Sequence, residues 1–158
     1  MTQKVHCVTQ EMSLADAVTF LLVHGIGSAP VVESTDTDPP TLVGFLSERD
    51  CLEVLSNESF FGGTARPETV GMIMRRHPVC VEPETDLYTL ASVFVHHGYR
   101  HLPVCWGREL LGIISRSDIL RAMDRYVRQE LNSTSDQKFP PRLGELNERW
   151  FQLTGVRR

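Results

Sequence analysis

Gly44-Phe45-Leu46-Ser47-Glu48-Arg49-Asp50-Cys51-Leu52 returns later in the chain as Gly112-Ile113-Ile114-Ser115-Arg116-Ser117-Asp118-Ile119-Leu120. Glycine, serine, aspartate and leucine recur at one constant offset, 118 − 50 = 68 residues. Upstream, Cys7-Val8, Glu11, Leu14, His24-Gly25 and Pro30-Val31 recur as Cys80-Val81, Glu84, Leu87, His97-Gly98 and Pro103-Val104, at 103 − 30 = 73 residues. The five-residue difference falls between the two blocks, in residues 33–41 of the first copy and 106–109 of the second. Length differences gather in surface turns because a buried connection strands backbone polar groups. The chain is a duplication, and its architecture is one unit used twice.

Working outward, Ser47 and Ser115 open helices, the second of them long, with Ile119, Leu120, Met123, Val127 and Leu131 in helical register. The apolar runs before them, 42–46 and 110–114, have the continuous hydrophobicity of strands covered on both faces. Ala29-Pro30-Val31-Val32 and Leu102-Pro103-Val104-Cys105 predict short strands whose proline lies near a strand start or an edge, because proline cannot donate to a ladder. Ser13 and Asp86 are positioned to cap helices with apolar positions at 14, 17, 18, 21, 22 and at 87, 90, 91, 94, 95. Each helix ends at His-Gly, where glycine accepts the left-handed conformation. The unit therefore reads strand, helix, strand, strand, helix. Between the copies, 60–67 reads as a flexible linker and 70–74 as a short apolar helix or turn.

With 158 residues the chain has room for two small domains sharing a core. A hydrophobic content of 41%, 23% charged residues and a net charge of −4 give no general attraction to nucleic acid or to anionic membranes. Four cysteines, at 7, 51, 80 and 105, form no C-x-x-C pair and sit among apolar neighbours, as buried thiols do in a reducing compartment. The N-terminus lacks an apolar signal core, and the run 20–23 is stopped by His24-Gly25 far short of a membrane span. A cytoplasmic location and no membrane association are expected.

The doubled Gly-apolar-apolar-Ser-x-x-Asp, each copy preceded by a short apolar strand with a proline, resembles the cystathionine beta-synthase (CBS) domain family, and two copies in tandem resemble a Bateman module. The resemblance covers residues 5–128 and is carried most closely by Tyr99-Arg100-His101-Leu102-Pro103-Val104 and by 111–118. It implies an α+β (α/β) fold of two CBS repeats packed sheet to sheet with pseudo-twofold symmetry. The expected divisions are repeat 1 at 1–57, a linker at 58–69, repeat 2 at 70–131 and a C-terminal helical extension at 132–158. It also implies a regulator that binds an adenine nucleotide, AMP, ADP or ATP, between the repeats, dimerises through helical faces and acts on a protein effector. No catalytic or membrane domain is recognised in the sequence, so the output is expected to pass to that effector in trans, through the tail or through oligomer state.

The residues support a nucleotide site independently. Ser-x-x-Asp just past a strand sets a hydroxyl, a carboxylate and free N–H groups at one helix N-terminus, where a ribose diol can donate to the carboxylate. Asp50 and Asp118 are the candidate ribose acceptors; Ser47 and Ser115 are candidates for a ribose or phosphate oxygen. The alternative is a capping box that needs no ligand, and both roles can coexist. Phosphate requires cations, for which Arg100 and His101 are the candidates. The resemblance implies that these two serve the nucleotide whose ribose is held by Asp50. Their equivalents in the first repeat, Gly27 and Ser28, are uncharged, so unequal sites are expected, with weaker phosphate recognition where Asp118 holds the ribose unless Arg49, Arg116, Arg75 or Arg76 reaches across. Val8, Val81, Ala29, Leu102 and Tyr99, with Pro103 beside them, are candidates to line an adenine slot; the alternative for each is plain core.

Other chemistry finds less support. His97 and His101 flank Gly98 and share no helical face, and no second pair completes a metal site. No nucleophile elbow, Cys–His pair or phosphate-binding glycine loop occurs, so no catalytic residue is assigned. Arg149, Trp150, Phe151, Arg157 and Arg158 fit a helix docking on protein better than a nucleic-acid contact. A constitutive dimeric scaffold with vestigial pockets is the competing reading.

Overall fold

A computed structural model describes residues 5–61 and 69–132. Most of the expected linker and the expected extension at 133–158 lie outside the described residues. The elements run β1 (Val8–Thr9), α1 (Leu14–His24), β2 (Ser28–Val32), β3 (Leu42–Ser47), α2 (Glu48–Phe61), α3 (Val70–Ile73), β4 (Arg75–Arg76), α4 (Leu87–His97), β5 (His101–Trp106), β6 (Glu109–Ser115) and α5 (Arg116–Asn132). The first sheet has the order β1-β2-β3-β4, with β1 parallel to β2 and the other pairs antiparallel. In the second, β5 pairs with β6, and a parallel bridge between Val81 and Val104 repeats the Val8–Val31 pairing of the first at the same 73-residue offset.

Helix boundaries follow the expected chemistry. The Ser13 hydroxyl accepts the Asp16 N–H at 3.1 Å, and the Asp86 carboxylate accepts from Tyr88 and Thr89 N–H at 3.0 Å each. Gly25 and Gly98 close α1 and α4 with φ of 61° and 66°, the left-handed region that costs other residues dearly.

Duplication of sequence proves to be duplication of the core. One cluster contains Val8, Ala17, Leu21, Ala29, Val31, Leu46 and Cys51; the other contains their equivalents Val81, Leu90, Phe94, Leu102, Val104, Ile114 and Ile119. The contacts also move a boundary. Among the described residues, one compact unit comprises 5–78 together with Gly107–Leu110, and the other comprises Val79–Trp106 and 111–132. The expected division at 58–69 thus marks where the repeated sequence restarts. Packing assigns α3 and β4 to the first unit, because Val70 and Met74 are buried in its core and β4 adds a strand to β3.

Three local expectations need correction. Pro103 sits inside β5, and the reason it is tolerated lies in the parallel ladder. The Pro103 carbonyl accepts from Val81 N–H at 3.0 Å and the next bond is Cys105 N–H to Val81 O at 2.9 Å, so the missing donor faces the point where the ladder begins. Pro30 occupies the equivalent register in β2, a strand flanked on both sides. Strands β3 and β6 alternate between buried and half-buried residues, so one face is core and the other only partly covered. On α5 the buried stripe is Ile119, Ala122 and Tyr126, while Leu120, Met123 and Val127 are exposed.

At Gly44 the backbone entering β4 lies close against β3. A Cβ there would lie 2.5 Å from Met74 Sδ and 3.1 Å from the Arg75 carbonyl oxygen. Gly44→Ala is expected to destabilise by about 1–3 kcal/mol through this overpacking, read as a lower urea midpoint. An unchanged midpoint would show that β4 yields freely.

Candidate functional site

Each second helix begins with a reciprocal cap. Ser47 N–H donates to Asp50 Oδ2 at 2.8 Å, the Ser47 hydroxyl donates to the same oxygen, and Asp50 N–H returns a bond to Ser47 Oγ at 3.4 Å. In the second unit the Ser115 N–H and hydroxyl reach Asp118 Oδ2 at 2.9 and 2.6 Å, and Asp118 N–H reaches Ser115 Oγ at 3.3 Å. The expected capping box is therefore present in both repeats. It uses one carboxylate oxygen only. The other, Oδ1, is directed at a cation: Arg75 Nε of β4 at 3.1 Å for Asp50, and Arg121 Nη2, one turn along α5, at 2.9 Å for Asp118. Capping and a second acidic role are divided between two oxygens of one side chain.

The two carboxylates differ in access. The Asp50 side chain is 6% exposed and its arginine comes from a separate strand, whereas Asp118 is 18% exposed and its arginine is a solvent-facing side chain of the same helix. Burial alone would raise the Asp118 pKa. Hydrogen bonds from Ser115 and Arg121 outweigh it and hold the carboxyl down at about 2.

Around Asp118 the second unit gathers most of the charged candidates. Arg116 Nε donates to the Tyr99 carbonyl at 2.6 Å and Arg116 N–H to the Arg100 carbonyl at 3.4 Å, so the start of α5 holds the turn that leads into β5. His101 lies within electrostatic range of both Asp118 and Arg100. Burial pushes its pKa below the ordinary value, the Arg100 charge adds to that, and Asp118 opposes it. In the first repeat the corresponding backbone bond, Glu48 N–H to the Gly27 carbonyl at 3.0 Å, is kept while the charges are not. Gly27, Ser28 and Glu48 stand where Arg100, His101 and Arg116 stand in the second. At these three positions phosphate would meet cations in the second unit and a carboxylate in the first, where the cation beside Asp50 is Arg75 of β4. The direction differs from the one expected, in which Arg100 and His101 serve the nucleotide held by Asp50: within the second unit His101 stands beside Asp118, and Arg116, one of the residues named as able to reach across, opens the same helix.

The candidate adenine-lining side chains are core members in their own units. Val8 and Ala29 are fully buried in the first cluster; Val81 and Leu102 are buried in the second, with Pro103 also buried and Tyr99 packed against it half-exposed. Arg121 was missed by sequence reading, although its i,i+3 spacing from Asp118 is a readable signal. Among the described residues no helix is long and apolar enough to cross a membrane, and no group of three or more potential metal ligands occurs.

A family model described as "CBS domain" matches residues 1–57 and 70–125. Among curated proteins, an uncharacterised 17.7 kDa protein of Acidianus ambivalens is 28% identical over 123 residues, spanning 77% of this chain and 69% of its own length. The mitochondrial CBS domain-containing protein CBSX3 of Arabidopsis thaliana is 28% identical over 127 residues, spanning 79% of this chain and 59% of its own. Among solved structures, CBSX2 in complex with AMP superposes with a TM-score of 0.67 at 28% identity, covering 78% of this chain and 90% of that one. A putative signal-transduction protein with CBS domains from Burkholderia ambifaria gives a TM-score of 0.63 at 27% identity, covering 87% and 88%.

Proposed function

Because the chain belongs to the CBS domain family, we propose that it is a regulatory protein that binds an adenine nucleotide and passes the binding event to a partner protein. One observation carries this reading: at each repeat's second helix the aspartate caps with Oδ2 and turns Oδ1 toward a cation, an arrangement a ribose diol can join or replace. The likeness to a solved CBS-pair protein holding AMP supports the same ligand class. Arg100, His101 and Arg116 are the cations proposed for phosphate, with Ser47 and Ser115 beside the ribose. A cytoplasmic site of action belongs to the same reading and rests on the four free thiols.

Titration calorimetry and thermal shift with adenosine, AMP, ADP and ATP test it. A ligand at 100 times its Kd is expected to stabilise the native state by about 2.7 kcal/mol. Arg100→Ala is expected to weaken phosphate-bearing ligands about tenfold and adenosine hardly at all, as loss of one charge-assisted contact predicts. A flat response to the whole panel would remove the nucleotide reading.

A scaffold with vestigial pockets is favoured by one fact, that both Oδ1 atoms already carry an arginine. The same panel separates the two. Homodimerisation is proposed on the repeat's own logic: Leu22 and its equivalent Val95, and Leu52 and its equivalent Leu120, are exposed in both copies. Light scattering is expected to give a dimer mass, and Leu120→Glu to reduce it toward the monomer, because a charge on such a face must be desolvated on association. A monomer for the unsubstituted chain overturns this.

A further inference from the structure

One backbone bond ties the start of the second helix to the turn before the proline strand in both repeats, and the side chain lying over it changes sign. In the second repeat, Arg116 N–H donates to the Arg100 carbonyl at 3.4 Å, and the Arg116 guanidinium folds back to the Tyr99 carbonyl at 2.6 Å. In the first, Glu48 N–H donates to the Gly27 carbonyl at 3.0 Å, and Glu48 Oε2 lies 3.0 Å from where a Cβ on Gly27 would stand. The carboxylate thus folds back over the turn as the guanidinium does in the other copy, and the glycine beneath leaves it room. We propose that Glu48 determines ligand specificity: it keeps phosphate off the Gly27–Ser28 turn and favours there an adenosine ligand whose 5′ group is uncharged or cationic. Glu48 has this role only if the adenine-nucleotide reading holds; what it adds is which member of that class each repeat prefers.

Charge decides the preference because the first unit offers little to offset it. Arg49 Nε is engaged by Glu53 at 3.0 Å along α2, and Arg75 Nε by Asp50 at 3.1 Å. Gly27 and Ser28 supply no cation where the second repeat has Arg100 and His101. Glu48 is exposed, so its charge acts through water rather than through the core. A unit charge brought within several Å of another at such a surface changes affinity by about five- to tenfold, and salt screens the effect. A phosphate against this turn is disfavoured by that factor, an ammonium is favoured by it, and a bare 5′ hydroxyl feels neither. Glutamate in a first helical turn also complements the helix dipole, and that structural role is indifferent to the charge of a ligand. The two roles therefore separate on ligands of opposite charge.

The test is titration calorimetry of the full chain with AMP, adenosine and 5′-amino-5′-deoxyadenosine, whose ammonium reverses the charge of AMP. Adenosine is expected to fill two positions of the unsubstituted chain, with AMP at least about fivefold weaker than the amino analogue at one of them. In Glu48→Gln, which keeps the shape and removes the charge, AMP at that position is expected to tighten about five- to tenfold and the amino analogue to weaken by a similar factor, while adenosine stays within about twofold. Both shifts are expected to shrink at about 0.5 M salt. Glu48→Arg, which copies the second repeat, is expected to move AMP further in the same direction. Unchanged AMP and amino-analogue affinities in Glu48→Gln, or all three ligands moving together, overturn the proposal and leave the nucleotide reading standing. No binding of any of the three to the unsubstituted chain removes both. Should Glu48→Gln fold poorly, equal affinity of AMP and the amino analogue at both positions of the unsubstituted chain overturns the proposal by itself.

Discussion

Leu102→Ala is expected to lower the unfolding free energy by about 2–5 kcal/mol, the range for deleting three buried carbons from a core that relaxes only in part. Leu102 is 1% exposed and lies among Val81, Leu90, Phe94 and Ile114, all of them buried. Arg100, two residues upstream, is exposed, and Arg100→Ala is expected to change stability by no more than about 0.5 kcal/mol. The two substitutions therefore carry opposite signatures: one moves the urea midpoint and the other moves the affinity for phosphate-bearing ligands. Calorimetry at a temperature where the Leu102→Ala protein remains folded is expected to give an affinity within about threefold of the parent, since a side chain sealed in the core offers a ligand little surface to lose. Full stability with lost affinity would instead make Leu102 a wall of the ligand slot and would displace it from the core.

Much of this was legible because duplication writes each constraint twice. Val8 and Val81, or Leu46 and Ile114, keep one apolar role at a constant offset, and a single copy could not have separated that from chance. What stayed hidden depends on contacts that no local pattern encodes. Arg75 reaches Asp50 across 25 residues because β4 pairs with β3, and a two-residue strand has no periodicity to read. On α5 the apolar positions 119, 120, 123 and 127 all fit a helical stripe, yet Tyr126 and Ala122 turn inward with Ile119 and leave the others in solvent. Periodicity gives the width of an apolar arc; only the neighbouring strand decides which edge of it is buried. Cysteine burial failed for the same reason. All four cysteines have apolar sequence neighbours, but Cys80, just before the bridge at Val81, is exposed while Cys105, inside β5, is buried.

Asp118→Asn is expected to weaken binding of adenosine nucleotides by about 10–100-fold, the loss of one or two hydrogen bonds from a ribose diol to a charged acceptor. The argument rests on Oδ1, whose present partner Arg121 is 62% exposed and can turn into solvent when a hydroxyl arrives. In the parent protein, 2′-deoxy and 3′-deoxy analogues of AMP are expected to lose a similar factor, and in Asp118→Asn to lose little more, because the interaction has already gone. Asp50→Asn is expected to cost less affinity, since Arg75 and burial hold that carboxylate more tightly. A larger loss for Asp50→Asn would reverse the assignment. The same substitution has a signature without ligand. A carboxyl at about 2 in the folded protein and near ~3.9 when unfolded contributes stability that is fully present above ~3.9 and is lost as pH falls toward 2. With its arginine exposed, that contribution is about 1–2 kcal/mol. Urea midpoints measured between pH 5 and about 2 should fall less steeply in Asp118→Asn than in the parent, because asparagine has no proton to gain in that window. Parallel curves would mean that the Ser115 and Arg121 contacts do not govern the titration of this carboxylate.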